Sequence, residues 1–76
     1  MVIAYVLIKA NVPSVDRIRD TVAELDGVTD AHIVAGDIDV IAKIDVDSPA
    51  DVRKTVASGV LSISGVEGTQ THMAME

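Results

Sequence analysis

Cysteine is absent from this chain of 76 residues, and Tyr5 is its one aromatic residue. Without cysteine, disulfide bonds, thiolate metal sites and cysteine nucleophiles are excluded. Without aromatic platforms, the binding of single-stranded nucleic acid by base stacking is disfavoured. Two histidines, His32 and His72, are too few for a histidine-rich metal centre, because zinc sites need three or four ligands. We therefore expect neither a metal nor a cofactor.

Positive charge is also scarce, with 6 Lys and Arg residues against 12 Asp and Glu residues and a net charge of −6. Because phosphate backbones are bound through Lys and Arg, this balance argues against direct contact with nucleic acid. It also suits a high-salt cytoplasm, where ions screen the repulsion between carboxylates. The apolar run at residues 2–8 is far too short to span a bilayer and lacks the flanks of a signal peptide. We expect a cytoplasmic protein that does not contact membranes.

Four segments read as β-strands. Residues 2–9 are apolar without polar alternation, which is typical of a central strand covered on both faces. Residues 28–35 and 38–46 predict two further strands, and Ala35-Gly36-Asp37 between them has the composition of a hairpin turn. Residues 66–75 predict the last strand, in which Gly68 indicates a bulge or a close backbone approach.

Two segments read as helices, because apolar residues recur at 15, 18, 22 and 25 and again at 52, 56, 60 and 63. Ser14 is the predicted N-cap of the first helix, which begins near residue 15 and stops at Gly27. Ser48 is the predicted N-cap of the second, with Pro49 at the first helical position and Gly65 as the stop. The stripe and its Gly-Val exit recur after 38 residues, which indicates an internal repeat.

The order β-α-β-β-α-β with this repeat predicts an α+β, ferredoxin-like fold: a four-stranded antiparallel sheet with two helices on one face. The length allows one domain, residues 1–76. Because the first strand is apolar on both sides, one of its sets of side chains, Ile3, Tyr5 and Leu7, is left on the uncovered face. Such a patch predicts a sheet-to-sheet dimer, which also supplies the stability that a small domain lacks. The alternative is a monomer with scattered exposed apolar side chains.

Two pairs of polar residues have the i, i+2 spacing that places side chains on the same side of a strand. Asp37 and Asp39 can bind a cation or an ammonium group, or they can simply stabilise the hairpin turn. Thr69 and Thr71 can donate and accept hydrogen bonds, but threonine is also an ordinary strand residue. A calcium site needs more oxygen ligands than this loop offers. No nucleophile–base set is evident, so no catalytic residues are expected.

Taken together, four features resemble a known family: the element order, the hairpin "GVTDAHIVAGDIDVIAKIDVDS", the helix exit "ISGV" and the final strand "VEGTQT". They are similar to the effector-binding domain, or RAM domain, of the Lrp/AsnC (feast/famine) transcription regulators. The resemblance covers essentially the whole chain. Because residue 1 already opens the first strand, the chain resembles the stand-alone form without a helix-turn-helix.

The resemblance implies that sheets pack back to back in dimers, that dimers assemble into rings of four, and that amino acids or similar effectors bind between dimers. The positions that match the effector cleft are Gly36, Asp37, Ile38, Asp39, Thr69 and Thr71. In such a cleft an aspartate binds the ammonium group of a zwitterion by charge-assisted hydrogen bonds. The Gly36 amide and the threonine hydroxyls bind its carboxylate.

Three functions follow as hypotheses. The first is a non-enzymatic module for amino-acid binding and oligomerisation, linked to transcription regulation. The second is a structural adaptor that assembles with full-length Lrp/AsnC regulators without binding an effector. The third is a small dimeric enzyme on the same fold, for which Tyr5, His32 and His72 are the available acid–base groups, none with an evident partner.

Overall fold

The computed structural model describes residues 1–75, with Val12 described for its backbone only. Glu76, the last residue of the predicted domain, lies outside the described residues. The elements are β1 (Val2–Ala10), a 3₁₀ turn (Val12–Ser14), α1 (Val15–Ala23), β2 (Val28–Ile33), β3 (Val40–Val46), α2 (Pro49–Lys54), a π-helical turn (Thr55–Gly59), a second 3₁₀ turn (Val60–Ser62) and β4 (Val66–Met73). None of the helices in this part of the chain is long and apolar enough to cross a membrane.

The four strands form one antiparallel sheet in the order β2-β3-β1-β4. The two central strands pair from Val2 opposite Val46 to Ile8 opposite Val40. The mostly apolar strand β1 is therefore central, as its lack of polar alternation predicted. The predicted ferredoxin-like α+β fold is confirmed.

One face of the sheet, which we call the helix side, carries the hydrophobic core. Every second residue of β1, from Ala4 to Ala10, is buried there, because strand side chains alternate between the two faces. Ile18 and Val22 of α1 are fully buried against this face, as the helical stripe predicted. The complete core is Ala4, Val6, Ile8, Ala10, Ile18, Val22, Ala31, Val40, Ala42, Ile44, Val52 and Val60.

The two predicted N-caps have different outcomes. Ser48 is a true cap, because it has extended backbone angles and its hydroxyl accepts a hydrogen bond from the Asp51 N–H. Ser14 holds the N-cap position directly before Val15, as predicted, but its predicted capping role is wrong, since its side chain makes no capping hydrogen bond. Its backbone N–H donates to the carbonyl of Asn11 in the preceding 3₁₀ turn, and its φ of −106° and ψ of 4° are not those of an extended cap residue.

The second helix is α-helical for 6 residues only and continues as the π-helical turn. Val52 and Val60 are both buried, although eight residues in a regular α-helix leave two side chains about 80° apart. The wider turn between them brings both onto the core. Gly59 lies within this turn, where a Cβ atom would come within 3.0 Å of the Leu25 side chain.

The opposite face, which we call the open face, is covered by no helix among residues 1–75. Ile3 and Leu7 of β1 are half-buried there and Tyr5 is 42% exposed. Lys43 of β3 and His72 of β4 lie directly opposite Tyr5 on its two sides. The open face is therefore an apolar strip along β1 with polar flanks.

Candidate functional site

The connection between β2 and β3 is a loop of residues 34–39, longer than the predicted three-residue turn. β2 ends at Ile33 and β3 begins at Val40. The loop between them is closed by the Val34 N–H, which donates to the Asp39 carbonyl at 2.9 Å. Gly36 is at its exposed tip with a φ of +141°, a conformation that side chains with a Cβ rarely adopt. The Asp39 N–H donates to the Ile8 carbonyl at 2.9 Å. The loop is thus fixed beside the end of β1.

The side chain of Asp39 strengthens the same attachment. The Ala10 N–H donates to its Oδ2 at 2.9 Å, and Lys9 Nζ lies 3.7 Å from the same oxygen. The Asp39 side chain is 19% exposed, against 51% for that of Lys9. A buried backbone N–H without an acceptor is costly, so Asp39 contributes to the shape of the loop.

A bulge lies next to this attachment. Lys9 pairs with Gly68, whereas Ala10 pairs with Val66, so Glu67 is the extra residue of β4. The bulge that Gly68 predicted is therefore confirmed. A Cβ at Gly68 would meet no atom within 4 Å, so the surface beside it is open.

An open cleft of about 440 Å³ lies between the loop, the end of β1 and the bulge of β4. Its lining residues are Leu7, Lys9, Asp37, Ile38, Gly68, Thr69 and Gln70. Three of them, Asp37, Ile38 and Thr69, are among the six positions predicted from the sequence. The other four were missed, because they become neighbours only through the pairing of β1 with β4. The alternation of β1 was the available signal, since it places Lys9 on the same face as Leu7.

Three predicted positions, Gly36, Asp39 and Thr71, do not line the cleft. Gly36 is at the loop tip, and Asp39 points to the Ala10 amide. Thr69 and Thr71 lie opposite Ile8 and Val6, whose side chains are buried on the helix side. The two threonines therefore share one side of β4, as their spacing predicted, but it is the helix side. Thr71 lines a separate apolar groove against α2.

The cleft combines two opposite charges with apolar surface. Lys9 supplies a cation and Asp37 an exposed carboxylate, while Leu7 and Ile38 supply aliphatic surface. Such a set is complementary to a small zwitterion with an apolar side chain. Among residues 1–75 no three His, Cys, Asp or Glu side chains are grouped to hold a metal ion.

The chain also matches known proteins. The family model described as "Lrp/AsnC ligand binding domain" matches residues 3–76. The leucine-responsive regulatory protein of Haemophilus influenzae is 25% identical over 76 residues, which is 100% of this chain and 46% of that protein. The protein of the same name in Escherichia coli is 30% identical over 61 residues, which is 80% of this chain and 37% of that protein. The chain thus spans less than half the length of these relatives.

Solved structures show the same fold. TTHA0845 from Thermus thermophilus has a TM-score of 0.96 and 32% identity, over 100% of this chain and 95% of that chain. Escherichia coli AsnC has a TM-score of 0.90 and 17% identity, over 99% of this chain and 51% of that chain. A transcriptional regulator from Neisseria meningitidis, solved as a complex with L-Met, has a TM-score of 0.86 and 14% identity, over 99% of this chain and 50% of that chain. With the family model covering nearly every residue, the chain belongs to the Lrp/AsnC ligand binding domain family.

Proposed function

We propose that this chain is a non-enzymatic module that binds an amino acid and assembles with copies of itself, in the service of transcription regulation. The observation that carries the proposal is the cleft, whose lining includes the opposite charges of Lys9 and Asp37 and the aliphatic side chains of Leu7 and Ile38. The family match supports it. So does the Neisseria meningitidis regulator of the same fold, which was solved with L-Met. The proposed role is that of a cytoplasmic module.

The proposed dimer forms between open faces. Ile3, Tyr5 and Leu7 run along the middle of an uncovered sheet, and apolar area removed from water contributes about 25 cal/mol per Å². A twofold dimer buries two copies of each of these residues, because both protomers contribute the same surface to the interface. A domain of 76 residues has little stability to spare, so this burial is a substantial gain.

The proposed effector site is completed by assembly. The cleft lies at the margin of the open face and is shallow in a single chain, so a neighbouring protomer or dimer is needed to cover a ligand there. A ligand held between protomers stabilises the assembly by mass action, which makes the oligomer, up to a ring of dimers, respond to the effector.

The test is a thermal-shift screen of the twenty amino acids. We expect one or a few aliphatic amino acids to raise the melting temperature, and Asp37→Asn to abolish the shift. Asp47→Asn is the matched control, because Asp47 is also exposed but does not line the cleft. A shift that Asp37→Asn leaves intact would contradict the site.

An adaptor without an effector is the second candidate. It is favoured by the placement of Asp39, which is hydrogen-bonded to Ala10, and of Thr71, which lies outside the cleft. A flat response to all twenty amino acids, with co-purification of a full-length Lrp/AsnC regulator, would favour the adaptor.

A further inference from the structure

Lys9 lies where the loop, the end of β1 and the bulge of β4 meet, and it is held there loosely. Its Nζ is 3.7 Å from Asp39 Oδ2, beyond ordinary hydrogen-bond length, and half of its side chain is exposed. The same carboxylate oxygen already accepts the Ala10 N–H at 2.9 Å. Asp39 therefore has a hydrogen-bond partner without Lys9, and Lys9 is available to another anion.

We propose that Lys9 is the carboxylate-binding residue of the cleft and that Asp39 is its resting partner, which competes for Lys9 until an amino acid binds. The inference rests on the proposed function, since it concerns the same cleft. The ligand's carboxylate then binds to Lys9, and not to the Gly36 amide and the threonine hydroxyls that the sequence indicated.

The other groups at the cleft support this assignment. Lys9 is the one cation among the described lining residues, so a carboxylate that enters the cleft has no other charged partner there. Arg17 and Arg19 are engaged elsewhere, with the carbonyls of Ser64 and Ala31. Thr69 lies opposite the buried Ile8, which turns its hydroxyl toward the helix side.

The exchange of partners is energetically easy. An exposed ion pair at 3.7 Å contributes little, whereas a direct charge-assisted hydrogen bond to a ligand carboxylate is stronger. The ammonium group then lies toward Asp37, and the aliphatic side chain toward Leu7 and Ile38. The ligand class is an α-amino acid with an apolar side chain. A second carboxylate on the ligand is disfavoured by the two aspartates.

The experiment uses L-leucine and L-methionine as probes, each paired with its amide, L-leucinamide and L-methioninamide, in calorimetric titrations of the full chain. We expect the wild-type protein to bind at least one acid and to bind the matching amide at least about tenfold more weakly. Lys9→Met is expected to weaken the acid to the level of the amide. Lys9→Arg is expected to restore the preference for the acid, and Lys54→Met on α2 is the matched control.

Asp39→Asn gives a prediction of opposite sign. The asparagine carbonyl still accepts the Ala10 N–H, but the charge that competes for Lys9 is gone. We therefore expect the variant to bind the acid about two- to fivefold more tightly than the wild type does. A purely structural role for Asp39 would leave affinity unchanged or weaken it.

The outcomes separate this inference from the proposed function. Equal affinity of acid and amide in the wild type overturns the role of Lys9 without any variant, so a folding defect cannot hide the answer. Binding that survives Lys9→Met with its acid preference intact does the same. Failure of both probes to bind also overturns the inference, while the screen of twenty amino acids decides the proposed function separately.

Discussion

Leu7→Lys tests the dimer through one side chain on the open face. Leu7 is half-buried within the sheet, between Ile41 of β3 and Gln70 of β4. It lies on the open face, which no helix among residues 1–75 covers, so the substitution leaves the core of the protomer intact. We expect the isolated protomer to keep its fold and the dimer to weaken.

The magnitude follows from the remaining exposed area. Full burial of a leucine side chain contributes about 1.5–3 kcal/mol, and at most about a third of Leu7 is still exposed, so covering the rest contributes at most about 0.5–1 kcal/mol. The two copies in a twofold dimer together give about 1–2 kcal/mol, the loss of which weakens the dimer about 5- to 30-fold. The uncompensated lysine charge adds to this loss.

Analytical ultracentrifugation of wild type and variant over a range of concentrations measures the dimer constant, and circular dichroism confirms the fold. Leu61→Lys is the matched control, because Leu61 is 51% exposed and lies in the 3₁₀ turn before β4, away from the open face. A Leu7→Lys dimer constant indistinguishable from that of the wild type refutes the open-face interface.

Two further predictions concern stability, measured as the free energy of unfolding in urea. Gly27→Ala is expected to cost about 2–5 kcal/mol, because Gly27 has a φ of +90° and an added Cβ would lie 2.7 Å from a Val46 methyl group. Gly68→Ala is expected to cost much less, because the space around Gly68 is open. Equal costs would contradict this geometry. Ser48→Ala is expected to cost about 1 kcal/mol, because it removes the N-cap hydrogen bond of α2. Ser14→Ala is expected to cost less, because the Ser14 side chain makes no capping hydrogen bond. A larger cost for Ser14→Ala than for Ser48→Ala would contradict the structure.

The sequence was sufficient to predict the fold because local and global signals agree. The stripes that include Ile18, Val22 and Val52 became the buried sides of the helices. The unbroken apolar run of β1 identified a central strand. The capping role of Ser14 was predicted wrongly, because a serine before a helix caps it only if the serine backbone is extended, and here the preceding 3₁₀ turn sets other backbone angles.

The π-helical turn was not predicted, although a signal was present. Val52, Val56 and Val60 recur at intervals of four and four, which drift around an α-helix but suit a wider turn. The contact of Gly59 with Leu25 also depends on tertiary packing.

The site was less predictable than the fold. Asp37 and Asp39 look equivalent in sequence, yet Asp37 is exposed in the cleft and Asp39 accepts the Ala10 N–H, 29 residues away in the chain. Lys9 lies in the cleft because it pairs with Gly68 beside the bulge of β4. Strand register and long-range hydrogen bonds thus decide which polar residues are available to a ligand.

The mass of the chain in solution tests the proposed dimer directly, when it is measured by light scattering at micromolar concentration with and without a mixture of the twenty amino acids. We expect a particle of at least twice the 8.0 kDa chain mass, which becomes larger or persists at lower protein concentration when amino acids are added. A particle of 8.0 kDa under both conditions would contradict the dimer and leave the effector cleft uncovered.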